Sequence, residues 1–542
     1  MRETRRKLQK VKTAKMKTSK TERAKGITLI ALVITIIVLL ILAGVTIATL
    51  TGQNGILSNA TKSKEETSYR SAEEKIKLAI NGSYDATGSI NESNFETEVT
   101  RLGGSSTIEG TEANVQIDGY GFLVDLTTGK IEIGESEGDI TGPVEQPENT
   151  PEYWEATRKT DSEWYSYVDL TSNTKVKVNK PQLKGNMTSI KYTGEAQEGS
   201  KWANAMTTDG SMWAWVPRYA YKITQGYHTN TAGTIEVAFL DTNNNFLNST
   251  DTGAIETNPS NITYTNGVQD QWLVHPAFTA SKENGGGFGE LAGMWVAKFE
   301  ASGTNATNLA VKPGVSSLRS QTVNTFYHYG KEAKYGETES LNSHMMKNSE
   351  WGAVAYLTHS KYGRNKEELT VNTSGSYYTG GTTDKNIIYT TNANQSTTKN
   401  ATGIYDLSGG SYEYVASYVN NGNSSLSSYA GTTKEDLYGA DAEERGKSTA
   451  YKTVYKVGSS DSDSNNYSAN NGVKGDAVYE TSNSYSGSNS WNGDYSCFPY
   501  SGGPVFLRGG YYGSGSNAGA FSFYSSLGNS DGYMSFRPVL AF

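Results

Sequence analysis

The sequence runs to 542 residues, more than one hydrophobic core usually organises, so about two to four folded units are expected. Its 36 Tyr against 14 Phe, with 58 Gly and long Ser/Asn/Thr tracts, point to a loop-rich β protein with much half-wet surface, and the lone Cys497 excludes an intrachain disulfide and a Cys-rich zinc site. The net charge of −8 hides a split, +9 on residues 1–25 and −17 on the rest, which excludes a broad electrostatic footprint for nucleic acid.

The basic leader, 1–26, is followed by 24 residues, Ile27 to Leu50, without a charge. As a helix that stretch is about 36 Å long, enough for a hydrocarbon core of about 30 Å. A single transmembrane helix is therefore expected at 27–50. The basic cluster on its leading flank puts the amino terminus in the cytoplasm and the remainder outside a bacterial cell membrane. A secretory signal peptide has a shorter apolar core and an Ala-x-Ala-like site. The run Lys25-Gly26-Ile27-Thr28-Leu29-Ile30-Ala31-Leu32 resembles the cleavage and methylation signal of type IV prepilins and pseudopilins. That resemblance implies a prepilin peptidase as partner, Gly26 as the cleavage residue and Ile27 as the methylated first mature residue. Fibre-forming members carry Glu at the fifth mature position, where this chain has Ala31. Tethering, or a minor place among other pilins, is expected in preference to a major fibre subunit.

Beyond Gly52 and Gly55, Ser71 to Ile80 reads as a short amphipathic helix carrying Ile76, Leu78 and Ile80. Residues 113–133 alternate as strands, with turn signals at Asp118-Gly119 and Thr128-Gly129. Together, 51–133 is expected to form a stalk and a small pilin-like β module, and the Gly- and Pro-punctuated 134–151 a linker. A β-rich region follows over 152–344 and a second domain over 345–542. Strands are expected from Met212 to Ile223, Thr234 to Leu240 and Gly293 to Phe299. The clearest helix runs from about Asn348 to His359, with Asn348 or Ser349 as its cap. The polar stretches 241–265, 370–402 and 456–490 read as surface loops.

Three carboxy-terminal segments carry a second resemblance: Tyr405-Asp406-Leu407-Ser408-Gly409-Gly410-Ser411-Tyr412-Glu413-Tyr414, Phe506-Leu507-Arg508-Gly509-Gly510-Tyr511, and Ser535-Phe536-Arg537-Pro538-Val539-Leu540. In order and spacing they are similar to the C-type-lectin-like fold of the formylglycine-generating enzyme (sulfatase-modifying factor) family. Arg508, Gly509, Gly510 and Arg537 are then structural residues, the arginines bracing core loops and the glycines allowing close backbone approach. The family's oxidases need a cysteine pair, which one cysteine cannot supply, so no enzyme activity is expected. The family's calcium turn matches at Glu413, but Gly410 replaces its Asn. Calcium is the one cofactor that the resemblance raises; no metal ligands are assigned.

Of the 25 residues from Tyr511 to Ser535, 21 are Tyr, Ser, Gly, Asn, Asp or Phe. This is the alphabet of binding paratopes, rigid aromatic contact with adaptable hydrogen bonding. At this place in such a fold it resembles the variable region of retroelement-diversified proteins. The candidate ligand-binding residues are Asp494, Tyr495, Tyr511, Tyr512, Ser514, Asn517, Tyr524, Ser525, Asn529, Asp531 and Tyr533. Gly446-Lys447-Ser448 lacks the spacing of a P-loop, Asp461-x-Asp463-x-Asn465 lacks the rest of a calcium loop, and the five histidines form no zinc motif. The expectation is an α+β protein: a transmembrane helix, a pilin-like β module and a large C-type-lectin-like domain that displays a binding face for an external protein or glycan. The alternative is a minor subunit of a pilus-like or secretion-like fibre.

Overall fold

The computed structural model describes residues 71–85, 89–118, 120–133, 154–157, 164–192, 199–381 and 389–542. The leader, the apolar stretch 27–50 and the linker 134–151 lie outside these residues. The chain divides into two compact units between Val144 and Glu145.

In the first unit a helix over 71–82 buries Ala72, Ile76, Ala79 and Ile80, the i, i+4, i+7, i+8 stripe of one face. Leu78, expected on that face, is 55% exposed, because two residues beyond Ile76 is more than half a turn away. A second helix, Glu92–Arg101, is capped by the Asn91 side chain, which accepts the Asn94 N–H, and buries Phe95 and Val99. Four antiparallel strands follow as a meander, Ser105–Glu109, Glu112–Ile117, Tyr120–Asp125 and Lys130–Ile133. Val115, Ile117, Phe122 and Val124 fill their inner face.

The expected fold class is corrected in one respect. Among the described residues no helix is long and apolar enough to cross a membrane. Helix Asn348–His359, with 12 residues, is about 18 Å long and belongs to a protein core, whereas a bilayer needs about 30 Å. The described architecture is short helices packed on largely antiparallel sheets, with parallel pairings in the second unit.

The second unit is built on two large sheets. One has strand order Ser343–Met345, Pro538–Leu540, Gly293–Ala297, Met212–Pro217, Asn204–Met206, Thr188–Tyr192, Trp154–Thr157. The stretches expected as separate at 152–344 and 345–542 share this sheet, for Ser343–Met345 straddles their boundary and Pro538–Leu540 pairs with Gly293–Ala297. The other sheet centres on Tyr412–Val419, Val505–Gly509 and Gly519–Ser526, with Met534–Phe536 parallel to Tyr412–Val419. The expected Met212 to Ile223 strand is two strands, Met212–Pro217 and Tyr219–Gln225, in different sheets. At the break, fully buried Arg218 donates to the Phe278 carbonyl, the Asn244 side chain and Glu290, each at 2.6 Å.

Helix Asn348–His359 is buried on every side. Its cap is Lys347, not Asn348 or Ser349. The Lys347 N–H donates to Glu350 at 2.8 Å, while Asn348 spends its side chain on Arg508 and Tyr455. The stretch 370–402, read as surface loop, sends many of its described residues into the interior: Asn372, Ser374, Thr379, Ser396, Thr397 and Thr398 are all buried.

Candidate functional site

The carboxy-terminal segment is held on the second sheet by its two arginines. Arg508 is fully buried, lies 5.4 Å over the Trp351 ring and donates to the Asn348 side chain and to the carbonyls of Asp476 and Ala477. It therefore braces loop backbone rather than a carboxylate. Arg537 pairs with Glu413 and also donates to the carbonyls of Ala297 and Tyr405. It sits where the chain leaves the strand Met534–Phe536 for Pro538–Leu540 and so changes sheet. Gly509 and Gly510 follow with φ of 81° and 75°, and a Cβ on Gly510 would come within 2.7 Å of the Ala518 backbone.

On this frame the tyrosines meet ring to ring. Tyr511 stacks on Tyr412 at 5.2 Å and meets Tyr512 and Tyr533 edge-on at 5.1 and 5.4 Å. Tyr524 lies 5.8 Å from Tyr412 and 5.3 Å from Tyr495. Tyr377 closes the other side, 5.1 Å from Tyr512 and 6.5 Å from Tyr533. The continuous patch joins four stretches of chain. Tyr533 is half exposed, and Tyr495, Tyr511, Tyr512 and Tyr524 are half-buried. Each such pair adds about 0.5–1.5 kcal/mol beyond burial, so the rings support one another in fixed orientations. Burial raises the hydroxyl pKa of Tyr412 and Tyr524, and that of Tyr377 to about 12.

The remaining candidates divide. Ser514 Oγ accepts the Tyr511 N–H at 3.0 Å and fixes that turn. The Asn517 carbonyl accepts the Tyr495 N–H, and its side chain accepts from Ser488. Asp531 accepts the Tyr533 N–H at 2.9 Å, and the Asn529 carbonyl accepts the Tyr414 hydroxyl. Ser525 lies 3.2 Å from Cys497 Sγ. Asp494 is fully buried beneath the patch, where it accepts the Phe521 N–H at 2.9 Å and abuts Gly519. Burial drives its carboxyl well above the usual range, and it serves as an internal strut that does not reach the surface.

Sequence reasoning missed Tyr412, Tyr377 and Arg319 as parts of this patch. The Arg319 guanidinium lies 3.8 Å above the Tyr377 ring. Nothing in the spacing of residues so far from 511–533 signals the contact; only the fold brings them there.

Glu413, the calcium candidate, is committed to Arg537, and among the described residues no group of three or more His, Cys, Asp or Glu is arranged to hold a metal ion. Two cavities of about 690 Å³ lie elsewhere in this unit, one beside Lys184 and Phe542, the other beside Trp272 and Lys366. Neither is bounded by a residue of the tyrosine patch. Compared with known proteins, the chain matches no family model and no curated protein sequence.

Proposed function

We propose that the protein is a binding protein of the bacterial cell exterior, which recognises an external protein or glycan through the tyrosine-lined face built by Tyr495, Tyr511, Tyr512, Tyr524 and Tyr533. The observation that carries this reading is the ring-to-ring patch itself. Half-exposed aromatics held in fixed orientation give large contact area at low entropic cost, and the Ser, Gly and Asn between them supply adaptable hydrogen bonds. The resemblance of 345–542 to C-type-lectin-like variable proteins supports the same reading, and the Gly26 signal supports export.

The test is substitution of Tyr511, Tyr512, Tyr524 and Tyr533 by Ala, one at a time and together, with binding measured on protein and glycan arrays. Loss of about tenfold or more per central tyrosine is expected. Unchanged binding by a folded quadruple variant overturns the reading. Diversification has its own test: a reverse transcriptase gene beside a near copy of the 490–540 coding stretch, differing at adenines.

A second reading, a minor subunit of a pilus-like fibre, draws on the separate helix-and-meander unit of 71–133. Co-fractionation with other pilins, and loss of fibres on deletion, would favour it.

A further inference from the structure

We propose that Arg319 and Tyr377 form a carboxylate subsite at the edge of the tyrosine face, and that the partner is a protein segment presenting an Asp or Glu side chain beside a flat apolar group. This inference rests on the binding role proposed above and adds the chemistry of what is bound.

Four observations carry it. First, the guanidinium is placed before any partner arrives: it lies 3.8 Å above Tyr377, Nη1 donates to the Gly532 carbonyl at 2.6 Å, and Nη2 reaches Ser316 Oγ only at 3.4 Å. Second, its hydrogen-bonding capacity is not spent. Nη1 and Nη2 each hold a second N–H beyond these bonds, and among the described residues Arg319 makes no ion pair; Nε is buried, so the grip falls to the two Nη groups. The nearby Asp531 instead accepts the Tyr533 N–H. A guanidinium stacked on a ring keeps its in-plane N–H groups for a carboxylate, which it grips with two parallel bonds. Third, the platform is tied to the face on both sides. Ser320 N–H donates to the Asp531 carbonyl at 3.0 Å, Ser317 N–H to the Tyr377 carbonyl at 3.0 Å, and Ser320 holds a left-handed φ of 62°. Fourth, Tyr377 meets both Tyr512 and Tyr533, so a group gripped by Arg319 would sit against those rings.

A peptide is favoured over a small molecule because the patch is a row of packed rings at the surface, and neither the cavity beside Phe542 nor that beside Trp272 is bounded by any of them. It is favoured over an acidic glycan because the rings are spent largely on one another, with Tyr512 edge-on to both Tyr511 and Tyr377, which suits mixed aromatic and aliphatic side chains better than a stacked sugar.

The test is a random dodecapeptide library displayed on phage and selected against the protein and its Arg319→Gln, Arg319→Lys and Tyr512→Ala variants. Each variant is checked for an unchanged thermal transition. The expected result is a binder pool rich in Asp and Glu on the unaltered protein, with synthetic representatives about fivefold to tenfold weaker when Glu is replaced by Gln. That difference should vanish on Arg319→Gln and shrink on Arg319→Lys, which keeps charge but loses the plane. Binders that depend on Tyr512 yet show no acidic preference, or keep it on Arg319→Gln, overturn the carboxylate subsite and leave the tyrosine face standing. A library without Tyr512-dependent binders, together with no binding of an oligogalacturonate, overturns both. Binding of an oligogalacturonate that is lost in Arg319→Gln, with no peptide recovered, assigns the carboxylate to an acidic glycan and overturns the peptide assignment.

Discussion

Arg537 closes on Glu413 with two hydrogen bonds, Nη2 to Oε1 at 2.6 Å and Nε to Oε2 at 3.1 Å, and both side chains are buried to within 1% of their surface. The pair joins the strand that opens the tyrosine face to the point where the chain crosses to the other sheet. Two further buried carboxyls, Glu300 and Asp406, stand close to it, and burial together with their mutual repulsion raises the Glu300 pKa well above the usual range.

Arg537→Leu is therefore expected to cost about 3–5 kcal/mol, since it strands a buried carboxylate and abandons two carbonyls. Glu413→Gln should cost less, because the amide oxygen keeps one bond and the guanidinium keeps the carbonyls of Ala297 and Tyr405. Urea unfolding of both variants and of their combination gives the comparison; a cheaper Arg537→Leu contradicts this account.

Asp476 supplies a pH dependence. Burial, the larger cause, holds its carboxyl at about 6 against an ordinary 3.8, even though the Tyr455 hydroxyl donates to it at 2.8 Å. The folded chain then keeps a proton that the unfolded chain has already lost. The stability this confers is whole below pH 3.8 and is withdrawn as pH rises to about 6. The difference between the folded and unfolded carboxyl is worth about 3 kcal/mol. Asp476→Asn should remove that fall, so the variant gains on the unaltered protein between pH 4 and 6 in paired urea titrations. Parallel curves refute it. His275 and His359, whose pKa values burial lowers to about 3 and about 4, give the opposite slope in both proteins and cancel in the difference.

Asp494 separates a strut from a contact. Asp494→Asn keeps an acceptor for the Phe521 N–H and should alter stability by less than about 1 kcal/mol, with binding unchanged. Asp494→Ala leaves that N–H buried and unpaired and should cost about 1–3 kcal/mol. A binding loss in Asp494→Asn, seen without a stability change by calorimetry, would restore this residue to the contact surface.

Gly26 gives a prediction on the leader. Gly26→Asp should leave the chain longer by the leader, about 26 residues, when intact mass is compared after expression with a prepilin peptidase. Equal masses rule out processing at this position.

Legibility followed the range of the interactions. The strands Thr234–Phe239 and Gly293–Ala297 and the helix Asn348–His359 were readable, because apolar patterning over a few residues reports which face is buried. So was the Tyr/Ser alphabet of 511–533. The polar stretches misled. Glu480 lies in one, yet its carboxylate is fully buried and accepts the hydroxyls of Tyr221, Tyr264 and Tyr356 and the Gly475 N–H. Polarity predicts exposure only where a group lacks an internal partner, and such partners come from far along the chain.

The sequence by itself determined the basic charge of residues 1–25, the single cysteine, the local elements with strong periodicity and the Tyr/Ser/Gly/Asn composition of 511–533. Tertiary structure alone decided that Asp494 lies beneath the face while Tyr412, Tyr377 and Arg319 join it, and that 343–345 and 538–540 complete one sheet. The reason is physical: which side of a strand faces water, and which distant group satisfies a buried donor, depend on elements packed across hundreds of residues. A local pattern does not encode them.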